Sequence, residues 1–193
     1  MARTKEFDPD AALARALELF WERGYEATSM ADLVEHLEIG RASLYATFDS
    51  KHELYLKALR RYLETRDPDP IALLSQPGPA LPAVRTLVES YVAESINDER
   101  HRGCMIVNAA AELMPHDHQV AQHVETSWSA LEAALTGALT RARAQDEIGP
   151  DADPIATARF LVVFLQGVRL VGKGPMGAAR LRDAADQALS MLT

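Results

Sequence analysis

The chain has 193 residues, enough for one or two helical domains with a real core. It is rich in Ala, Leu, Glu and Arg with few β-branched runs, which predicts an all-α protein; its one cysteine rules out an internal disulfide and fits a reducing cytoplasm. Net charge is −8, no run reaches the roughly 18 uninterrupted apolar residues of a membrane span, and the start Met1-Ala-Arg-Thr-Lys-Glu6 lacks the apolar core of a secretion signal.

Asp8-Pro9 predicts an N-cap followed by proline at the first helical position. Leu13, Ala16, Leu17 and Phe20 then recur at i, i+3, i+4 and i+7, and Gly24 is placed to end the helix. This helix is expected to pack across the next two, with Phe20, Trp21 and Tyr25 as core and rim. From Thr28 the pattern restarts. Met30, Leu33, Val34 and Leu37 form one stripe, and Ser29 with Asp32 three residues on makes a capping-box-like start. Ile39-Gly40 breaks that helix, Arg41 to Phe48 resumes with Leu44 and Phe48 inward, and Ser50-Lys-His-Glu53 caps a fourth. Two short helices joined by a tight turn read as a helix-turn-helix, whose second helix enters the DNA major groove.

The fourth helix, from Ser50 towards Arg66, carries a wide apolar stripe and connects to the remainder. Asp67-Pro-Asp-Pro70 and Gln76-Pro-Gly-Pro-Ala-Leu-Pro82 read as proline-rich breaks. Helical patterns follow at about 82–97, 103–114, 117–145, 153–172 and 178–192, making about nine helices. The division is a DNA-binding domain over residues 4–66, with its motif at about 29–48, and a regulatory and dimerisation domain over 67–193. Residues 1–66 hold 10 Lys/Arg against 12 Asp/Glu, so this is no basic domain. Phosphate contacts then fall to local groups such as Arg3, Lys5, Arg41 and Lys51, and non-specific DNA binding is expected to be weak.

The runs Phe20-Trp-Glu-Arg-Gly-Tyr-Glu-Ala-Thr-Ser-Met-Ala-Asp-Leu33 and Gly40-Arg-Ala-Ser-Leu-Tyr-Ala-Thr-Phe-Asp-Ser-Lys-His-Glu-Leu54 resemble the signature of the tetracycline-repressor (TetR/AcrR) family. The resemblance covers about the first third of the chain and departs from the common pattern at Ala46 and Thr47, which bears on the operator sequence. It implies a transcriptional regulator, most simply a repressor, acting on a palindromic operator in double-stranded DNA. By position, it implies that Thr28 and Ser29 bond a phosphate. Arg41 would fork onto a guanine or hold a phosphate, Ala42 would allow backbone approach, and Ser43 would add a hydroxyl. Tyr45 and Thr47 would face the groove, and Lys51 would clamp a phosphate. The last two helices, about 153–172 and 178–192, pair in that family into a dimeric four-helix bundle. A helix-turn-helix reading two half-sites needs such two-fold symmetry, although helix 153–172 is also readable as a central core helix.

Arg102-Gly-Cys-Met-Ile-Val-Asn-Ala-Ala-Ala-Glu-Leu113 resembles a segment of the electrophile-responsive, N-ethylmaleimide-repressor-like subgroup, as does Leu165-Gln-Gly-Val-Arg-Leu-Val-Gly-Lys173. Cys104 with Lys173, the one lysine after Lys57, is then a candidate thiol sensor, an ammonium favouring the thiolate. A lone Cys on an apolar helix is equally readable as a small buried hydrophobe. Tyr91, Met105, Asn108, Trp128, Phe160, Phe164 and Gln166 are candidates for lining an apolar effector cavity with polar anchors. His116, His118 and His123 are too irregularly spaced for a metal site, and no cofactor or membrane partner is expected. An all-α enzyme is disfavoured by the lack of a nucleophile elbow, a P-loop or metal-ligand spacing. A helical adaptor that no longer binds DNA remains a second reading of the acidic charge.

Overall fold

The structure, a computed structural model, describes residues 7–66, 68–175 and 177–192. Among these residues it contains helices and no strand: α1 (Pro9–Arg23), α2 (Met30–Leu37), α3 (Arg41–Phe48), α4 (Lys51–Glu64), α5 (Pro70–Leu74), α6 (Ala80–Asn97), α7 (Met105–Glu112), α8 (His118–Ala144), α9 (Pro154–Val171) and α10 (Gly177–Ser190). Two compact units emerge. One holds the described residues up to Arg66 with Asn108–Val124; the other holds the described residues from 68 to Val107 and onward from Glu125.

In the first unit, local chemistry starts and stops each helix. The Asp8 carboxylate accepts the Asp10 N–H, Pro9 takes the first helical position, and Gly24 ends α1 at φ +86°, a conformation open to glycine. At α2 the capping box is complete. Ser29 Oγ accepts the Asp32 N–H at 3.1 Å, and the Asp32 carboxylate accepts the Ser29 N–H at 2.8 Å. Glu38, left-handed at φ 59°, turns the chain out of α2, and Ser50 caps α4 through the Glu53 N–H. The apolar stripes then close on one another: Ala16, Phe20, Leu33, Leu37, Ile39, Leu44, Phe48, Leu54, Tyr55, Ala58 and Leu59 are all buried. Side chains of this size contribute about 1.5–3 kcal/mol each on burial. Aromatic contacts lock α1 to α4: Phe20 meets Tyr55 edge-to-face at 5.1 Å, and Trp21 meets Tyr62 at 5.0 Å.

The second unit is built around α6, α8, α9 and α10. Val84, Leu87, Val88 and Tyr91 pack with Leu135 and Leu139, with Leu161, Leu165 and Val168, and with Leu181, Ala185 and Leu189. Pro79 gives α6 no side-chain cap, and the remote Glu147 carboxylate accepts the Ala80 and Leu81 N–H groups at 2.8 and 2.7 Å. The Arg169 guanidinium is buried, bonds the Glu94 carboxylate and lies 4.3 Å above the Tyr91 ring. On the other side of α9, Ile155, Phe160, Val163, Leu170 and Val171 are exposed, Val163 at 73%.

Two differences from the sequence reading stand out. Between the two proline-rich breaks, where any helix is expected to be short or irregular, lies the short helix α5, giving ten helices among the described residues where about nine are expected. The signal was present, because Asp69 caps the Ile71 N–H ahead of Pro70 as Asp8 does ahead of Pro9. Asn108–Val124, placed by sequence with the regulatory domain, packs within the first unit.

Gly172 joins α6 to α9 without slack, since a Cβ there would lie 2.6 Å from Ser95 Cβ. Gly172→Ala is therefore expected to cost about 1–3 kcal/mol of overpacking, measured by urea unfolding at constant m-value.

Candidate nucleic-acid interface

The eight residues of α3 divide cleanly. Leu44 and Phe48 are buried, while Arg41, Ala42, Tyr45 and Ala46 are exposed and Ser43 and Thr47 half-buried. Positions i, i+1, i+4 and i+5 fall on one helical face, so the exposed four form a single surface. The Arg41 guanidinium sits 5.7 Å from the Tyr45 ring centroid, which pairs a cation with an amphipathic aromatic on that face. Gly40 before α3 has open space where a Cβ would stand. Small residues at 40, 42 and 46 leave the backbone approachable beside one fork of guanidinium donors, a surface suited to phosphate and base edges. Among the described residues no group of three His, Cys, Asp or Glu side chains is placed to hold a metal ion.

The segment from Gly24 to Thr28, which leads into α2, differs from expectation. Thr28, read as a phosphate contact, is fully buried and its hydroxyl donates to Gly24 O at 2.7 Å. Lys51, read as a phosphate clamp, turns inward. Its Nζ donates to Tyr25 O and Thr28 O, both at 2.8 Å, and lies 3.9 Å from the Tyr25 ring centroid. Two of its three N–H bonds are thus engaged by the turn, where Lys51 shares the Tyr25 carbonyl with the Thr28 N–H (3.2 Å). Ser29 is exposed, with its hydroxyl and N–H in the capping box, and stands at the surface beside that turn. Asp32 has its carboxyl held below the usual range by the Ser29 hydroxyl and by the Ser29 N–H. Arg3 and Lys5 lie outside the described residues.

Sequence reasoning missed three residues that organise this unit. The Glu112 carboxylate accepts the N–H groups of Tyr25 (3.0 Å) and Glu26 (2.8 Å). His52 Nε2 meets an Asp117 carboxylate oxygen at 2.6 Å, and Asp117 also caps α8 through the Gln119 and Val120 N–H groups. Burial alone would raise the Asp117 carboxyl, but those N–H groups and His52 outweigh it and hold it below the usual range. Nothing local marks these pairs, which join residues 65 to 87 apart.

The predicted effector residues are only partly gathered. Tyr91 and Met105 are buried in the second unit, Trp128, Phe164 and Gln166 are half-buried there, and Asn108 belongs to the first unit. Phe160, expected in the cavity, instead lies on the exposed face of α9, its ring stacked 6.1 Å from that of Phe164. The Gln166 amide donates to Val162 O within its own helix. A surface groove of about 570 Å³ lies between α8 and α9, but Ser129, Glu132, Thr136, Ile155 and Arg159 line it and none of the predicted residues does. Cys104 is buried, one residue ahead of α7. Lys173 lies over its neighbour Gly103, where a Cβ would stand 2.9 Å from Lys173 Cγ.

Comparisons with known proteins bear on the fold and the family. The pattern of the family described as "Bacterial regulatory proteins, tetR family" matches residues 12–58, and that of "Tetracyclin repressor-like, C-terminal domain" matches residues 80–188. The chain is 39% identical over 193 residues to the HTH-type transcriptional regulator YezE of Bacillus subtilis (strain 168), spanning all of both chains. It is 31% identical to the HTH-type transcriptional repressor ComR of Escherichia coli (strain K12), covering 98% of this chain and 90% of that one. Among solved structures, a cysteine mutant of the regulator CifR complexed with 26bp double-strand operator DNA matches with a TM-score of 0.86. It is 31% identical, over the whole of both chains. Reduced E. coli NemR shares the fold, with a TM-score of 0.81 over 93% of each chain at 20% identity.

Two outcomes are expected of the first unit. Arg41→Ala should weaken binding to a duplex selected by the wild-type protein from a randomised library by about 1–3 kcal/mol, read by fluorescence anisotropy. Asp32→Asn tests the cap. A carboxyl lowered in the folded state stabilises above its unfolded pKa and loses that contribution as pH falls through the folded value. The stability gap between wild type and variant should thus stay constant near neutrality and close in acid, below the ordinary carboxylate range, in urea unfolding curves.

Proposed function

The chain belongs to the tetR family of bacterial regulatory proteins, and we propose that it acts as a homodimeric repressor that a chemical signal releases from a palindromic operator. It is a sequence-specific DNA-binding transcriptional regulator of that family. The observation that carries the reading is the sorting on α3, with Leu44 and Phe48 buried and Arg41, Ala42, Tyr45 and Ala46 presented together. Ser29 and Ser43 flank that surface as candidate phosphate donors, and Thr47 offers a methyl to its edge. Thr28 and Lys51 are assigned to support of the turn. Repression is favoured because the relative ComR is named a repressor. A reporter under the gene's own upstream region should be silenced by the wild-type protein; binding to no selected duplex at any salt concentration would favour the adaptor reading.

Dimerisation is assigned to α9 and α10. The outward face of α9 is largely apolar, with Arg159 near its start held to Glu132. A second copy would cover Phe160, Val163, Leu170 and Val171, with the exposed Gly167 between them allowing close helix approach. Reading two half-sites one turn of DNA apart, about 34 Å, requires such a two-fold pair of α3 helices. Val163→Glu is expected to convert dimers to monomers in sedimentation velocity and to weaken operator binding at least tenfold, because one half-site supplies only part of the contacts. A dimer that persisted unchanged would move the interface elsewhere.

The signal is assigned to the second unit, as a thiol-directed electrophile at Cys104 or as a bound ligand. Lys173 lying over Gly103 favours the first, since it brings a lysine to the cysteine's neighbour. The buried Trp128 indole N–H, which has no hydrogen-bond partner among the described residues, favours the second as an anchor for a polar ligand. Treatment with N-ethylmaleimide separates the two. Release of the selected duplex by the wild-type protein and not by Cys104→Ser is the outcome expected of a sensor; equal behaviour of both proteins leaves a bound ligand as the signal.

A further inference from the structure

The turn between α1 and α2 is held at both ends of its peptide dipoles by charges from elsewhere in the first unit. On one side the Glu112 carboxylate takes the Tyr25 N–H at Oε2 and the Glu26 N–H at Oε1, one amide per oxygen. On the other, Lys51 Nζ donates to Tyr25 O and Thr28 O. Gly24 makes this approach possible, because a Cβ there would stand 3.1 Å from both carboxylate oxygens. The buried Thr28, whose hydroxyl closes back on Gly24 O, immediately precedes the α2 cap Ser29. A rigid turn therefore fixes where α2 starts, and α2 shares with α3 the core made by Leu33, Leu37, Leu44 and Phe48.

We propose that Glu112, on α7, is a positioning residue for DNA binding. It sets the start of α2, and with it the attitude of α3, without touching DNA. A carboxylate suits this place better than any neutral side chain. It offers two parallel acceptors to two adjacent amides that have left the helix, and charge makes each bond stronger than a neutral one. The negative group would repel a phosphate at this spot, which sets it apart from the residues that face DNA.

The inference rests on DNA binding by this unit, and the experiment separates the two. Full-length wild type, Glu112→Gln and Glu112→Ala are compared on one duplex selected by the wild type, over a salt series, at a temperature where circular dichroism shows all three folded. Glu112→Ala is expected to bind about tenfold or more weakly, with an unchanged slope of log affinity against log salt, because no phosphate contact is lost. Glu112→Gln, keeping one acceptor, should fall between. Amide hydrogen exchange at Tyr25 and Glu26 should quicken in the same order. Affinity within twofold of wild type in a folded Glu112→Ala, or loss of thermal stability with affinity intact, overturns the proposal. If Glu112→Ala does not fold, Glu112→Gln decides alone, and unchanged affinity with unchanged exchange at both amides overturns it. A wild type that selects no duplex would instead bring down the reading of the unit as DNA-binding.

Discussion

A helix of eight residues has almost no stability of its own in water, since nucleation alone outweighs its few hydrogen bonds. Everything about the first unit follows from having to hold α3 from behind while leaving its front bare. Leu44 and Phe48 are the two points of attachment, and the remainder of the unit is the wall they insert into. The aromatic packing of Phe20, Tyr25 and Tyr55 stiffens that wall, with Tyr25 4.9 Å from Tyr55 and Phe20 meeting it edge-on. Burial beside Glu112 and Asp117 pushes the Tyr55 hydroxyl far above its ordinary range, so it remains a neutral part of the core.

The acidic composition, which on its face argues against DNA, is in part internal architecture, in seven of the 28 Asp and Glu residues. Asp8, Asp69 and Asp153 each cap a helix that opens on proline. Asp32 and Asp117 cap α2 and α8. Glu147 and Glu112 serve amides far away in sequence, at the start of α6 and after the end of α1. Carboxylates are drawn to such places because the first amides of a helix, or those just past its end, present unsatisfied donors and a partial positive charge. Counting charges therefore says little about what the exposed face of α3 presents to a phosphate, where Arg41 stands without an acidic neighbour on the helix itself.

What could be read in advance was what lies within a turn or two of itself. The Asp-Pro openings, the Ser29–Asp32 box, the Gly24 stop and the inward placing of Leu44 and Phe48 are local, and they stand as expected. The family signature, equally local, gave the fold and the class of function. Lys51 shows the limit. Its position in the signature points to phosphate, yet its partners Tyr25 O and Thr28 O lie 26 and 23 residues away and follow only from how α4 packs. Phe160 shows the same limit in reverse, because a helix apolar nearly all round does not disclose which side its own unit covers. Glu112 lies within the Arg102–Leu113 segment quoted for its resemblance, but nothing local shows that it serves Tyr25 and Glu26; a glutamate closing an alanine-rich helix reads as a solvated residue.

The division of α3 into two fixed and four bare positions also bears on how such a protein changes over time. Ala42 and Ala46 occupy exposed places where larger side chains meet no packed neighbour, and exposed substitutions of that kind alter stability by only about 0.5 kcal/mol either way. The residues that keep the fold are thus separated, along a single helix, from those that face outward. On the proposed reading of that face, duplicated copies of the gene are free to drift towards new operators at 41, 42, 45 and 46 while Leu44 and Phe48 stay still. The same separation makes those four positions the natural ones to randomise when selecting regulators that answer to a chosen DNA sequence.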